Sequence, residues 1–560
     1  MSDDNTITPV HRFLPWERTQ PEPVMFTEPR PAGAVVDIRW REAGEQARRM
    51  AAYLRSLELP AGSSIGIIGK NSAHWIIADV AIWMAGHVSV PLYVTIHAEN
   101  ARYILEHCDV RALFVGKLDG KTDSWNEVSK VVPGDVPMVG LPMSPAEVPQ
   151  WEALAPLHAP LKQVHLPRPD ELATIIYTSG TTGVPKGVMH GFGAIWAYSR
   201  LSALYCAMTP RDRMLSYLPL AHAAERAFVE ANVICQGLHV YFNDCLETFG
   251  EDLRRARPTL FISMPRLWTK FYQSVCAKLP LRKQKLLLAL PLISRRVKHK
   301  ILGLLGLDAV RMAFTGSAPL PAAIISWYRS LGLDLLDVYG MTENFCHSHL
   351  SRPGRVRLGY CGEPAAGVSC RIGDDGEILV KGPTLLQGYY KQPELMAQSM
   401  TPDGYFRTGD RGERDELGRL KITGRVKELF KTSKGKYVAP APIENRFAHP
   451  KVEAVCVTGS AYPQPFALLL LSPDGRRELK DPALREPLLA ELEELRNIVN
   501  EGLEAHEKID YLVAIEEPWS VDNGFLTPSF KIRRTAIEDR YLSRAGAWAA
   551  TGRRVIVEGT

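Results

Sequence analysis

Tyr177-Thr-Ser-Gly-Thr-Thr-Gly-Val-Pro-Lys-Gly187 reads as a phosphate-gripping loop. A β-branched apolar run, Thr174-Ile-Ile-Tyr177, leads into it, and an amphipathic segment follows from about Gly191. Between them stand the hydroxyls of Thr178, Ser179, Thr181 and Thr182, the glycines Gly180, Gly183 and Gly187, and one cation, Lys186. Glycines let backbone N–H groups approach a phosphate, hydroxyls donate hydrogen bonds, and a lysine sets an ammonium beside phosphate oxygens. The Walker A spacing requires Gly directly before Lys, but Pro185 occupies that place, so the loop is not that of a P-loop NTPase. A solvated Gly/Ser/Thr loop has a similar composition, yet this string is far more specific, and a nucleotide phosphate is the expected ligand.

The flanking sequence supplies the scaffold. Upstream, Ala43, Ala47, Met50, Leu54 and Leu57 recur at helical spacing until Pro60 and Gly62. A strand at Ile65-Gly-Ile-Ile68, a helix at Trp75, a strand from Val88 to Val94, a helix near Ala101 to His107 and a strand at Ala112 to Val115 come next. This alternation predicts a mostly parallel, helix-covered sheet. Residues 133–169 are proline-rich and weakly periodic, which predicts a surface connection. Strands resume at Arg257 to Ile262 and Val310 to Phe314. From about Gly367 the pattern becomes short strands and hairpins, around Gly373-Asp-Asp-Gly376 and Glu416-Leu-Gly418, a small β-barrel-like subdomain. Past Lys427 a small α+β unit is expected, with strands near 454–458, 466–471 and 512–515 and a helix placing Leu488, Leu492, Leu495, Val499 and Leu503 on one face. The predicted fold is α/β, with a large unit at 1–425 and a small C-terminal unit at 426–560.

Composition narrows the function classes. The 560 residues hold 67 basic and 62 acidic side chains, a net charge of +5 too balanced to argue for nucleic acid. Nine scattered cysteines without a C-x-x-C pair suggest reduced thiols and a cytoplasmic protein, and the N-terminus shows no secretory signal. The apolar run from Trp75 to Val94 contains Asp79, His87 and Pro91, which favours a buried helix and strand over a membrane span. Lys278 to Lys300 carries eight Lys/Arg and no acid around Leu286-Leu-Leu-Ala-Leu-Pro-Leu-Ile293. That segment fits either a peripheral contact with the anionic inner face of a membrane or a helical insertion with a solvated basic face.

Four further motifs succeed the loop in order. They are Phe314-Thr-Gly-Ser-Ala-Pro319, Asp337-Val-Tyr-Gly-Met-Thr-Glu343, Tyr405-Phe-Arg-Thr-Gly-Asp410 with Gly424-Arg425, and Leu526-Thr-Pro-Ser-Phe-Lys-Ile-Arg533. The first ends a predicted strand, where open α/β sheets bind ligands. Together with the loop they resemble the adenylate-forming superfamily, over about residues 35 to 540. Lys427-Glu-Leu-Phe-Lys-Thr-Ser-Lys-Gly-Lys-Tyr-Val-Ala-Pro440 and the Leu-Thr-Pro ending look most like its long-chain fatty acyl-CoA synthetase branch.

The resemblance implies two half-reactions with ATP, Mg²⁺ and CoA: a fatty acid carboxylate forms an acyl-adenylate, and a thiol then displaces AMP. It implies that Thr178, Ser179, Gly180, Thr181, Thr182, Gly183 and Lys186 cradle the β- and γ-phosphates. Glu343 would hold Mg²⁺, Thr342 would contact the α-phosphate, and Tyr339 and Gly340 would face adenine opposite Ser317, Ala318 and Pro319. Asp410 would accept from the ribose hydroxyls with Arg425 alongside, and Lys531 would bridge the substrate carboxylate and α-phosphate. Many members have Gly before that lysine, whereas Phe530 stands here, as is frequent in the long-chain branch. Lys427 falls at the family's hinge, though an exposed linker lysine reads the same way, and Gly435 would wall the pantetheine channel after rotation. His222, in Leu218-Pro-Leu-Ala-His222, matches a motif beside the acyl pocket, and a satisfied core histidine is equally consistent. Chain length, oligomeric state and the choice of CoA over another acceptor are not encoded legibly. A non-catalytic nucleotide or acyl sensor on the same scaffold is disfavoured by the simultaneous presence of Lys186, Glu343, Asp410 and Lys531.

Overall fold

The protein, as a computed structural model, is described for residues 6–179, 184–318, 320–426, 428–447, 449–520, 523–527 and 532–558. The loop sequence lies in a β-hairpin. Strands Leu172–Ser179 and Pro185–Gly191 pair antiparallel, with Thr178 opposite Lys186 and Ser179 opposite Pro185. The return strand is the part the sequence did not announce, because Lys186, Gly187 and His190 interrupt any alternation. Only after it does the helix Phe192–Cys206 begin.

That hairpin borders the parallel core of a seven-stranded sheet. The spatial order is Gly388–Tyr389, Pro185–Gly191, Leu172–Ser179, Val88–Leu92, Ser64–Ile68, Val110–Val115 and Met138–Gly140. The last five pair in parallel, as the alternation predicted, and the first two add antiparallel. The proline-rich connection thus contributes an edge strand at Met138–Gly140, and buries Val139, Leu141 and Trp151. Three residues are too few to show periodicity among prolines.

The apolar run splits into helix Ala73–Ala85 and strand Val88–Leu92. Ser72 caps the helix by accepting the Trp75 N–H at 3.2 Å, and Gly86 ends it at φ +89°. The helix is buried along nearly its whole length. Its one acid, Asp79, pairs there with the fully buried Arg226, whose guanidinium also lies over Trp75 and Trp83. Among the described residues no helix is long and apolar enough to cross a membrane.

Two further sheets complete the α/β body. One runs Val35–Arg39, Val24–Pro29, His239–Phe242, Arg213–Ser216; the other Leu260–Ser263, Met312–Thr315, Leu335–Tyr339, His349–Leu350, Glu363–Pro364. An antiparallel sheet of Ser369–Ile372, Glu377–Lys381, Phe406–Arg414 and Leu420–Arg425 comes after them. The C-terminal α+β sheet has the order Val452–Thr458, Phe466–Leu471, Leu512–Ile515, Val555–Val557. Its fourth strand was missed, being only three residues long at the chain's end. Helix Pro482–Asn500 covers one face with Leu488, Leu492, Leu495 and Val499. Leu503, expected on the same helix, lies beyond its end and is buried in the same core. Arg266 and Glu453 pair at 2.6 Å, and Gln273 donates to the Pro450 carbonyl at 2.8 Å, joining this sheet's segment to the α/β body.

Candidate active site

The motif 337–343 and the segment 386–390 meet beside the hairpin. Strand Pro185–Gly191 pairs with Gly388–Tyr389, and the Tyr390 N–H donates to the Gly187 carbonyl at 2.8 Å. Gly187 permits this contact, since a Cβ there would lie 2.8 Å from Ile175 and 3.2 Å from Tyr390. The Leu386 N–H in turn donates to the Glu343 carbonyl at 2.8 Å. The segment 386–390 therefore ties the hairpin to the motif 337–343.

Side chains reinforce the tie. The Tyr389 phenol donates to Glu343 Oε1 at 3.0 Å, and Lys186 Nζ sits 5.6 Å from the centre of the Tyr389 ring. Burial, with the Glu343 carboxylate adding to it, raises the Tyr389 hydroxyl well above its ordinary pKa, so it stays a donor. His190 is buried, and its Nε2 lies 2.7 Å from the Thr342 carbonyl. A carbonyl accepts only from a protonated nitrogen, so Nε2 carries the hydrogen. Burial pushes the His190 pKa down to about 4, keeping the ring neutral. After Glu343 the chain turns sharply, with Phe345 at φ +49° and Cys346 at φ +59°. Gly340 accommodates that turn, because a Cβ would come within 2.5 Å of the Cys346 backbone.

The other end of the motif builds a second cluster. Tyr339, at the end of strand Leu335–Tyr339, donates its phenol to Asp410 Oδ2 at 2.7 Å. Arg425 stands across the hairpin from Asp410, with Nε 3.1 Å from Oδ1. The Asp410 N–H donates to Thr408 Oγ1, which itself donates to the Ile378 carbonyl. Asp410 is 7% exposed and Tyr339 8% exposed. Burial, then the Asp410 charge, holds the Tyr339 phenol protonated. Ser317 and Ala318 are exposed just after strand Met312–Thr315, and Ser317 takes φ +70°. A non-glycine residue held left-handed stores strain of the kind that clusters at ligand sites.

Thr178, Lys186, Ser317, Ala318, Tyr339, Gly340, Thr342, Glu343, Asp410 and Arg425 are thus described. The side chain of Ser179, together with Gly180, Thr181, Thr182, Gly183, Pro319, Lys427 and Lys531, lies outside the described residues. His222 accepts the Ala224 N–H on Nδ1 at 3.0 Å, capping the three-residue helix Ala223–Glu225. Gly435, at φ +78°, turns the hairpin Phe430–Lys431/Tyr437–Val438. Among the described residues no hydrogen bond or ion pair joins residues 430–438 to Lys186, Glu343 or Asp410. Sequence reasoning missed Tyr389 and His190. A tyrosine after Gly388 and a histidine in a strand are ordinary by themselves, and only the folded register brings them to Glu343 and Thr342.

Comparison with known proteins identifies the family. The family described as AMP-binding enzyme matches residues 16–390, and AMP-binding enzyme C-terminal domain matches 428–544. A long-chain-fatty-acid–CoA ligase, FadD15, of Mycobacterium bovis is 30% identical, over 91% of this chain and 92% of its own. The peroxisomal long chain acyl-CoA synthetase 6 of Arabidopsis thaliana is 30% identical over 96% of this chain and 84% of its own. Among solved structures, the adenylation domain of a carboxylate reductase from Mycobacterium chelonae superposes with a TM-score of 0.81. It is 22% identical, over 98% of this chain and 92% of that one. The chain belongs to the AMP-binding enzyme family of the adenylate-forming superfamily, on its long-chain acyl-CoA synthetase branch. The resemblance read from the motifs holds.

Proposed function

We propose that this protein activates a medium- to long-chain fatty acid as its acyl-adenylate and passes the acyl group to CoA. The observation that carries this reading is the pair of clusters at the two ends of one motif, Lys186–Tyr389–Glu343 and Tyr339–Asp410–Arg425. In the first half-reaction a carboxylate oxygen of the acid attacks the α-phosphorus of ATP, and the bond to pyrophosphate breaks. In the second, the CoA sulfur attacks the acyl carbon, its proton is lost, and AMP departs.

The chain's own groups orient and compensate these changes. Lys186, with Thr178, Ser179, Gly180, Thr181, Thr182 and Gly183, binds the β- and γ-phosphates and the departing pyrophosphate. Asp410 accepts from the ribose hydroxyls, Tyr339, Gly340, Ser317, Ala318 and Pro319 bound the adenine, and Thr342 meets the α-phosphate. Lys531 neutralises charge between carboxylate and α-phosphate as the bond forms. Glu343 is the carboxylate for Mg²⁺. Mg²⁺ is a hard ion that suits one carboxylate together with phosphate oxygens and water, which Glu343 beside a bound triphosphate would offer. Bound there, Mg²⁺ supplies positive charge to the phosphate oxygens. His222 borders the acyl pocket. Rotation of the unit 426–560 against 1–425 about Lys427 exchanges Lys531 for the Gly435 hairpin between half-reactions.

The basic segment supports a finer proposal on location. Helices Leu281–Ala289 and Pro291–Leu304 are pinned to the body by buried Gln284, which accepts from Trp327 Nε1 at 2.7 Å. The helices and the connector between them expose Leu286, Leu290 and Leu304 as well as Arg282, Lys283, Lys285, Arg295, Arg296 and Lys300. We infer that this face rests on an anionic lipid surface, where the acid substrate partitions. Co-flotation with phosphatidylglycerol vesicles, lost in high salt or on charge reversal of Lys283 and Lys285, tests it.

The deciding experiment for the activity incubates purified protein with ATP, Mg²⁺ and carboxylic acids of increasing chain length, with and without CoA, and reads products by mass spectrometry. Acyl-CoA and AMP formed only with CoA support the proposal and give the chain-length profile. Acyl-adenylate indifferent to CoA redirects the acyl group to another acceptor. ATP binding without any product identifies a sensor.

A further inference from the structure

Lys186 and Glu343 carry opposite charges, and each contacts the same residue, Tyr389. Among the described residues no ion pair joins them. The Tyr389 ring lies against Lys186 Nζ, 5.6 Å from its centre, while the same residue's hydroxyl occupies Glu343 Oε1 at 3.0 Å. Tyr389 is 5% exposed. Its backbone is fixed, because Gly388 and Tyr389 pair with Met189 and Val188 and the nearby Leu386 and Tyr390 bond to the Glu343 and Gly187 backbones, and burial leaves the ring little room.

We propose that Tyr389 is a positioning residue that keeps the phosphate-loop lysine and the metal carboxylate apart and fixes the carboxylate's orientation. Its ring offers Lys186 a weak cation–π contact that a phosphate readily displaces. Its hydroxyl occupies one carboxylate oxygen and so aims the other at the metal, in the way that hydrogen bonds to metal ligands set their direction. The inference rests on the reading of Glu343 and Lys186 given above.

Ring and hydroxyl separate in two substitutions. Binding of Mn²⁺ in the presence of α,β-methylene-ATP is read by electron paramagnetic resonance, and binding of the analogue without metal by calorimetry. Tyr389→Phe keeps the ring; it should weaken Mn²⁺ about 10-fold, the scale for losing an outer hydrogen bond to a metal ligand, and leave metal-free analogue affinity within about twofold. Tyr389→Leu should weaken both, because Lys186 and Glu343 then pair. In a Glu343→Gln background Tyr389→Phe should add nothing to the Mn²⁺ loss. Unchanged Mn²⁺ affinity in Tyr389→Phe, with Glu343→Gln weakened, overturns the role of Tyr389. Unchanged affinity in Glu343→Gln itself instead overturns the metal reading on which the inference stands. Should Tyr389→Leu not fold, the phenylalanine variant and the double variant still decide.

Discussion

Asp410 and Glu343 each accept a buried tyrosine phenol, at 2.7 Å and 3.0 Å, yet they are built for different purposes. Asp410 also faces Arg425 at 3.1 Å, and its backbone N–H is engaged by Thr408. Its charge is compensated within the protein. Glu343 has the Tyr389 phenol on one oxygen, while the nearest cation of the phosphate hairpin, Lys186, is held behind the Tyr389 ring. On the proposed reading, Asp410 meets the nucleoside with its charge already paired to Arg425, whereas Glu343 and Lys186 stay apart for phosphate and metal. Charges that act in the transition state belong in the second arrangement, and contacts that only bind belong in the first.

That difference is breakable, most severely through Lys531. Lys531→Ala should slow acid-dependent pyrophosphate exchange by about 10³-fold while ATP binding persists, since the lysine meets charge that develops during reaction. Exchange equal to wild type would remove it from the mechanism. Glu343→Gln should lower kcat by about 10²-fold. Asp410→Asn, by contrast, should raise KM for ATP about 10-fold at nearly constant kcat, the sign of uniform binding. A kcat loss in Asp410→Asn as large as in Glu343→Gln would erase the distinction between the two ends.

Legibility in the sequence follows the same division. Hydrophobic period and punctuation gave the parallel sheet, since each strand from Ser64 to Val115 is a short apolar run closed by Gly, Pro or a polar cap. The motifs singled out Lys186, Glu343, Asp410 and Arg425 because, weak one by one, they resemble those of one superfamily when taken in order. Tyr389 and His190 were illegible. Tyr389 gains its place from a strand pairing 201 positions apart, opposite Val188, and His190 from a carbonyl 152 positions away, and no local pattern carries such contacts. Edge strands Met138–Gly140 and Val555–Val557 escaped for want of length.

A smaller effect tests the backbone under the phosphate end. His190 supports the Thr342 carbonyl as a neutral donor, with its pKa pushed from an ordinary 6.5 down to about 4. The folded state therefore binds fewer protons than the unfolded state between those values. The stability it contributes is present above about pH 6.5 and lost as pH falls toward 4. His190→Gln, which keeps an N–H donor, should flatten that acid limb by up to about 1.4 kcal/mol per pH unit, read as melting temperature against pH. An unchanged limb would assign the acid sensitivity elsewhere.

The smallest effect belongs to Ser317, and it probes whether the nucleoside end holds its shape by strain. Ser317 is exposed yet held at φ +70°. A left-handed conformation costs a non-glycine residue roughly 1 kcal/mol, which glycine avoids, while glycine's freer unfolded chain returns part of that gain. Ser317→Gly should therefore be neutral or stabilising by less than about 1 kcal/mol, measured by chemical denaturation. If the strained turn merely connects strand Met312–Thr315 to helix Ala322–Ser330, nucleotide binding will not change. If it presents a preformed edge to the adenine, the relaxed glycine must be ordered on binding, and KM for ATP should rise about twofold to fivefold, the scale of glycine's extra backbone freedom. Greater stability joined to weaker nucleotide binding is a combination that an ordinary surface turn would not produce.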